Sequence, residues 1–450
     1  MTVANPYLEG NYGPVSVEET LVDLDVTGTL PPGLCGRYLR NGPNPLLPPD
    51  PVTYHWFTGD GMVHGIRLDG GRARWYRNRW VRSAAVAASL GESPHPGPVV
   101  EGMDLSPNTN VIVHAGRTYA IVEAGARPYE LTDELDTVGP SDFGGTLPGG
   151  YTAHPKRDPQ TGELHAISYY WAWGDRVQYS VVGVDGRVRR TVDVPVGGAV
   201  SIHDMSLTAS HAVIYDLPVV FNLEAAAQGS TFPYRWSDDY PSRVGLLPLE
   251  GEAEDVVWSE VEPCYVFHPM NAHDEEGTVV VDVVRHPKMF ATHLTGPDAG
   301  APVLERWRID PAAGKVATEL LDDRPQEFPR VDERVVGRPN RYGYSATLDD
   351  GRAGGPGFTM GGALLKHDLV AGTREVRTLG AGAGEAVFVP EAPTSAEDDG
   401  YVLSLVFDPE RGASDLVVVH AQDFTGDPVA VVHLPVRVPY GFHGNWVPDA

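Results

Sequence analysis

The chain has 450 residues, of which 61 are acidic and 34 basic, giving a net charge of −27. That excess repels phosphate, so the composition argues against a nucleic-acid partner, and it keeps a protein soluble. Hydrophobic residues make up 42%, with 51 glycines and 40 prolines, which excludes a disordered chain and points to a turn-rich, β-dominated fold. The two cysteines, Cys35 and Cys264, have no CxxC spacing, which excludes both a disulfide framework and a thiolate metal site.

The N-terminal MTVANPYLEGNYGPV lacks a basic stretch followed by an apolar one, and nowhere do about 18 apolar residues run uninterrupted. A soluble, cytoplasmic protein is expected. Ala84 to Leu90 is the first segment with helical character. Next come GRVRRTVDVPV and HAVIYDLPVVF, Val-rich runs bounded by Gly, Pro and Asp, the signature of strands. Leu223 to Gln228 is a second short helical segment. GTVVVDVVRH, GYVLSLVF, DLVVVHAQD and PVAVVHLP continue the β pattern to the end of the chain. Turn dipeptides (DG, GG, DP, TG) separate the runs, so the residues predict antiparallel hairpins in a sandwich, barrel or propeller. No repeat signature such as a WD dipeptide chooses among these, and the helical pieces are too short for a second domain. One domain over 1–450 is expected.

Of sixteen histidines, four lie beside a strand-like run and a turn residue: Thr152-Ala-His154-Pro, Ser201-Ile-His203-Asp204, Tyr265-Val-Phe-His268-Pro and Tyr440-Gly-Phe-His443-Gly. A β scaffold can bring such strand-end residues from distant positions to one point. No HExxH competes with them. Asp204 follows His203 directly, and neighbours in an extended chain face opposite sides.

The segments GRYLRNGPNP, HWFTGDGMVHGIRL, NTNVIVHAGR, EFPRVDER, GEAVFVP and YGFHGNW, together with the four histidine motifs, run in order across residues 6 to 447. In this the chain resembles the carotenoid cleavage oxygenases, a family that includes stilbene-cleaving enzymes and the retinoid isomerase. The resemblance implies an all-β, seven-bladed β-propeller with a cap of loops and short helices over an axial iron site. It implies one Fe(2+) per chain held by His154, His203, His268 and His443. Glu123, Glu327 and Glu385 match the family's carboxylates that orient His203, His268 and His443, leaving His154 without one. Thr109 matches a threonine whose methyl crowds an open metal position, and Phe267 matches an aromatic of the substrate tunnel. Trp56, Phe57, Trp171 and Phe442 are further aromatics beside the motifs.

The activity implied is cleavage of a conjugated carbon–carbon double bond of an apolar polyene, a carotenoid or apocarotenoid, by O2 as co-substrate. Stilbene cleavage is the alternative. Stilbene-cleaving members typically carry a lysine before the first of these glutamates, and Val122 stands there instead. A metal-free binding scaffold and a hydrolytic isomerase of the retinoid type complete the set of readings. The segment NLEAAAQGSTFP between Phe221 and Tyr234 is short and mildly polar, so membrane association is expected to be weak at most, and no obligate protein partner is expected.

Overall fold

The computed structural model describes residues 5–292, 296–349, 359–380 and 382–449. The Val-rich runs are strands, and they assemble into seven antiparallel sheets of four or five strands arranged as the blades of a propeller. The choice that composition left open among sandwich, barrel and propeller is thereby made. In chain order, the innermost strands of the second to seventh blades are Asn110–His114, Lys156–Arg157, Ser206–Leu207, Tyr265–Glu275, Gln326–Arg330 and Val387–Pro390.

Both ends of the chain close the ring. The C-terminal strand Gly444–Pro448 is innermost in the first blade and pairs with Gly36–Pro43, while Asp25–Gly28 is outermost in the seventh and pairs with Ala430–His433. Gly42 lets the segment before Gly444 lie against the first blade, since a Cβ there would stand 2.7 Å from the Cα of Gly441.

Burial explains why the sequence shows little alternation. Leu164–Ser168 lies between sheets and is buried at every residue, so both of its faces are apolar or internally hydrogen-bonded. Val188–Pro195, at the outer edge of the same blade, alternates between exposed and buried.

The two helical segments are one to two turns long. Ser83 caps Ala84–Ser89 through the Val86 N–H, and Asn222 caps Leu223–Ala227 through the Ala225 N–H. The second helix joins two short strands, Val219–Phe221 and Tyr234–Trp236, which pair with each other. This hairpin touches another, Lys288–Met289 with Pro297–Ala299, through Phe232 and Phe290, whose ring centroids are 5.0 Å apart. Together they cap one end of the propeller axis.

Candidate metal centre

Within or just before its innermost strand, each blade places one residue near the axis. From the first blade to the seventh these are His443, Thr109, His154, His203, His268, Glu327 and Glu385. Closing the propeller therefore gathers residues that lie hundreds of positions apart, which accounts for the absence of any local metal motif.

The four histidines meet at one point, with candidate ligand atoms all within 4.8 Å of one another. Their Nε2 atoms face inward, at 3.0 Å between His154 and His203, 3.1 Å between His203 and His268, and 3.1 Å between His268 and His443. Ligand atoms at adjacent right-angled corners around an ion with metal–imidazole bonds of about 2.1 Å lie about 3.0 Å apart, so this cluster fits a metal without rearrangement. For two of the rings, the electrostatics favour the neutral form that ligation requires. Burial pushes the His268 imidazole down to about 3, and burial plus the three neighbouring imidazoles push His154 well below its ordinary range. His203 goes the other way, because Glu123 outweighs the effect of burial and raises it.

Behind three of the rings stand carboxylates. His203 Nδ1 is 2.9 Å from Glu123 Oε1, His268 Nδ1 is 2.5 Å from Glu327 Oε2, and His443 Nδ1 is 2.9 Å from Glu385 Oε1. Accepting Nδ1–H fixes the tautomer that leaves Nε2 free to bind a metal. Further donors anchor each carboxylate. Glu123 Oε1 accepts from the Tyr169 hydroxyl at 3.0 Å, and Glu327 Oε1 faces His286 Nε2 at 2.7 Å. Glu385 Oε2 accepts the Gly444 N–H at 2.9 Å and pairs with Arg330 at 3.0 Å. Burial alone would raise the Glu385 carboxyl, but Arg330 and His443 overcome it and hold it down at about 2. Glu327 is likewise held well below the usual carboxylate range by His268 and His286 against the effect of burial.

Backbone strain helps to aim two of these carboxylates. Ala124 and Phe328, each directly following a supporting glutamate, adopt φ of 62° and 55°. A non-glycine residue in this region costs on the order of 1–3 kcal/mol. At Phe328 the bend turns its own N–H onto Glu327 Oε2 at 2.6 Å and stacks its ring on His268, with centroids 5.4 Å apart.

The histidine cluster separates two cavities. On the capped side lies one of about 470 Å³ walled by Trp56, Phe57, Trp171, Phe232, Phe267 and Phe442, and reached by His203, His268 and His443. Phe267 packs edge-on against Phe57 and Phe290, with centroids 6.0 Å away in each case. Thr109 lines this cavity with its hydroxyl engaged by Asn108 Oδ1 at 3.0 Å, and its carbonyl accepts the His443 N–H at 3.1 Å. Val122, beside Glu123, also contributes to the wall. On the opposite side, along the propeller axis, a cavity of about 520 Å³ is lined by Asn110, Lys156, Arg157, Asp204, Asn271 and Arg330, and is reached by His154, His268 and His443.

The structure thus brings together all four histidines, the three glutamates, Thr109 and Phe267. Sequence reasoning missed Tyr169, His286 and Arg330, the groups that hold the carboxylates, because each contact joins residues 41 to 55 positions apart. It also missed the surroundings of His154. Among the described residues no helix is long and apolar enough to cross a membrane.

Residues 12–448 match the family model described as RPE65, retinal pigment epithelial membrane protein. A carotenoid cleavage oxygenase of Mycobacterium tuberculosis is 50% identical, with 99% of this chain and 98% of that protein covered. The crystal structure of lignostilbene dioxygenase from Pseudomonas brassicacearum superposes with a TM-score of 0.89 at 29% identity, covering 99% of both chains. That of cobalt-substituted Synechocystis ACO superposes with a TM-score of 0.85 at 28% identity, covering 97% of both. With its fold and nearly its whole length in agreement, the chain belongs to the RPE65/carotenoid cleavage oxygenase family.

Proposed function

We propose that this enzyme is a non-haem iron(II) dioxygenase that cleaves a conjugated double bond of a carotenoid or apocarotenoid, yielding two aldehydes. The observation that carries this reading is the convergence of four imidazoles at the wall of an aromatic-lined cavity. Fe(2+), one per chain, is the ion that suits an all-imidazole site in an oxygenase, where it supplies the means for dioxygen to react with an alkene. The overall change balances without a reductant: one C=C and one O=O bond break, two C=O bonds form, and the alkene supplies the electrons.

The residues around the ion have the following proposed roles. His154, His203, His268 and His443 hold it, and Glu123, Glu327 and Glu385 orient three of them. The Thr109 methyl narrows the open coordination space on the cavity side, and Phe267 with its aromatic neighbours binds the polyene, excludes water and sets which bond faces the ion. An apolar polyene needs no charged anchor, and Val122 provides none. The chain acts as one unit, 1–450, in the cytoplasm, without an obligate protein partner and with weak membrane association at most, since a short hairpin caps the cavity. Strong binding of the pure protein to liposomes without substrate would contradict that last point.

The test is product analysis. Iron-loaded protein is incubated under ¹⁸O₂ with apocarotenals, carotenoids and resveratrol-like stilbenes, and the products are identified by mass spectrometry. Labelled aldehydes from a polyene support the proposal. Aldehydes from stilbenes alone would move the assignment to that branch, and unlabelled, isomerised product would move it to the hydrolytic one.

A further inference from the structure

We propose that Asp204 is the positioning carboxylate of His154, so that all four imidazoles, rather than three, are oriented from behind. This rests on reading the histidine cluster as a metal cage.

Among the four rings, His154 is the one whose Nδ1 faces no glutamate. Asp204 Oδ2 lies 3.6 Å from it, and the two side chains are 2% and 6% exposed respectively. Two anchors hold this carboxylate: the Lys156 ammonium at 2.8 Å on Oδ2, and the Met205 N–H at 2.6 Å on Oδ1. His203 lines the capped cavity, whereas its neighbour Asp204 lines the axial one. His154 and Lys156 line the axial cavity too, and the Asp204 carboxylate lies beside both. A ligand of the fourth blade and the support for a ligand of the third are thus consecutive residues.

At 3.6 Å the contact is longer than a hydrogen bond, which needs about 3.0 Å. A metal on Nε2 makes the ring's Nδ1–H a stronger donor. Closing the gap needs only about half an ångström of movement. A buried ion pair is weak evidence of a gain in stability. Here the Lys156–Asp204 pair holds an acceptor beside a ring that otherwise lacks one, as Arg330 does for Glu385.

The experiment compares wild type with Asp204→Asn, which keeps the shape and the Met205 contact. Cobalt(II) affinity is measured by chelator competition and, in parallel, the melting temperature of the metal-free proteins is recorded. The variant should bind cobalt about 10-fold more weakly or worse. Affinity within about two-fold of wild type, whatever the melting temperature, would overturn the proposal. A second measurement does not depend on the variant folding. Cobalt-loaded wild type should show four hyperfine-shifted, solvent-exchangeable Nδ1–H protons in its NMR spectrum, all protected from rapid exchange. Three protected protons and one in rapid exchange would overturn it. Should wild type itself bind no metal, the cage reading fails. Should wild type bind normally and Asp204→Asn equally well, this inference alone fails.

Discussion

The two cavities that meet at the histidine cluster differ in kind. The capped one is walled by aromatic rings, and the carboxylates beside the cluster, Glu123 and Glu327, are committed to histidines. The axial one is rich in charged and amide side chains, including Lys156, Asp204 and Arg330. On the function proposed above, the contrast teaches that one centre would divide its tasks by side: the aromatic face would govern which substrate enters and how it lies, while the polar face and the carboxylates would govern the metal. Substitutions should sort accordingly, into those that change metal affinity and those that change substrate choice.

The largest effect breaks the division altogether. His268→Ala removes a ligand common to both cavities, and should abolish metal binding and turnover together, as measured by metal analysis and product formation; retained turnover would sink the site. Next come the carboxylates. Glu327→Gln and Glu385→Gln should each weaken metal affinity by about 10–100-fold, measured by chelator competition. On the aromatic side, Phe267→Ala should leave metal affinity within about two-fold while raising KM or shifting the bond cleaved, because it changes the wall and not the cage. Val122→Lys sharpens the contrast further. A cation beside Glu123 should raise the ratio of stilbene to polyene turnover by about 10-fold, a competition assay being the readout.

The smallest effect concerns pH. Because the Glu385 carboxyl is depressed to about 2 in the folded protein, it stabilises that state fully above the ordinary carboxylate range. The contribution is lost as pH falls from about 4.5 toward about 2. The difference in melting temperature between metal-free wild type and Glu385→Gln should therefore be greatest near pH 6 and shrink on acidification. A constant difference would contradict the depressed value.

Much of this was legible in the sequence, but by different routes. Strands such as Thr278–His286 and Gly400–Asp408 announced themselves by Val-rich composition, since burial on both faces selects branched apolar residues. Those residues could not announce a propeller, because the way sheets close into a ring is set by contacts between blades. The four histidines likewise carry no local pattern, and were singled out only by resemblance of their motifs. Once the ring is closed their spacing makes sense: His443 and His154 belong to blades that join the C-terminus to the middle of the chain, and their ring centroids are 4.4 Å apart. Asp204 was legible as a residue facing away from His203. What it faces, His154 on the neighbouring blade, emerges only in three dimensions.

A single ion seated between the two faces is the centre of the proposed mechanism, and diffraction at the iron absorption edge tests it most directly. Crystals of protein grown in iron-replete medium should show a single strong anomalous peak equidistant from the Nε2 atoms of His154, His203, His268 and His443, at the boundary of the aromatic and axial cavities. No peak there, or a peak held by other residues, would contradict the account.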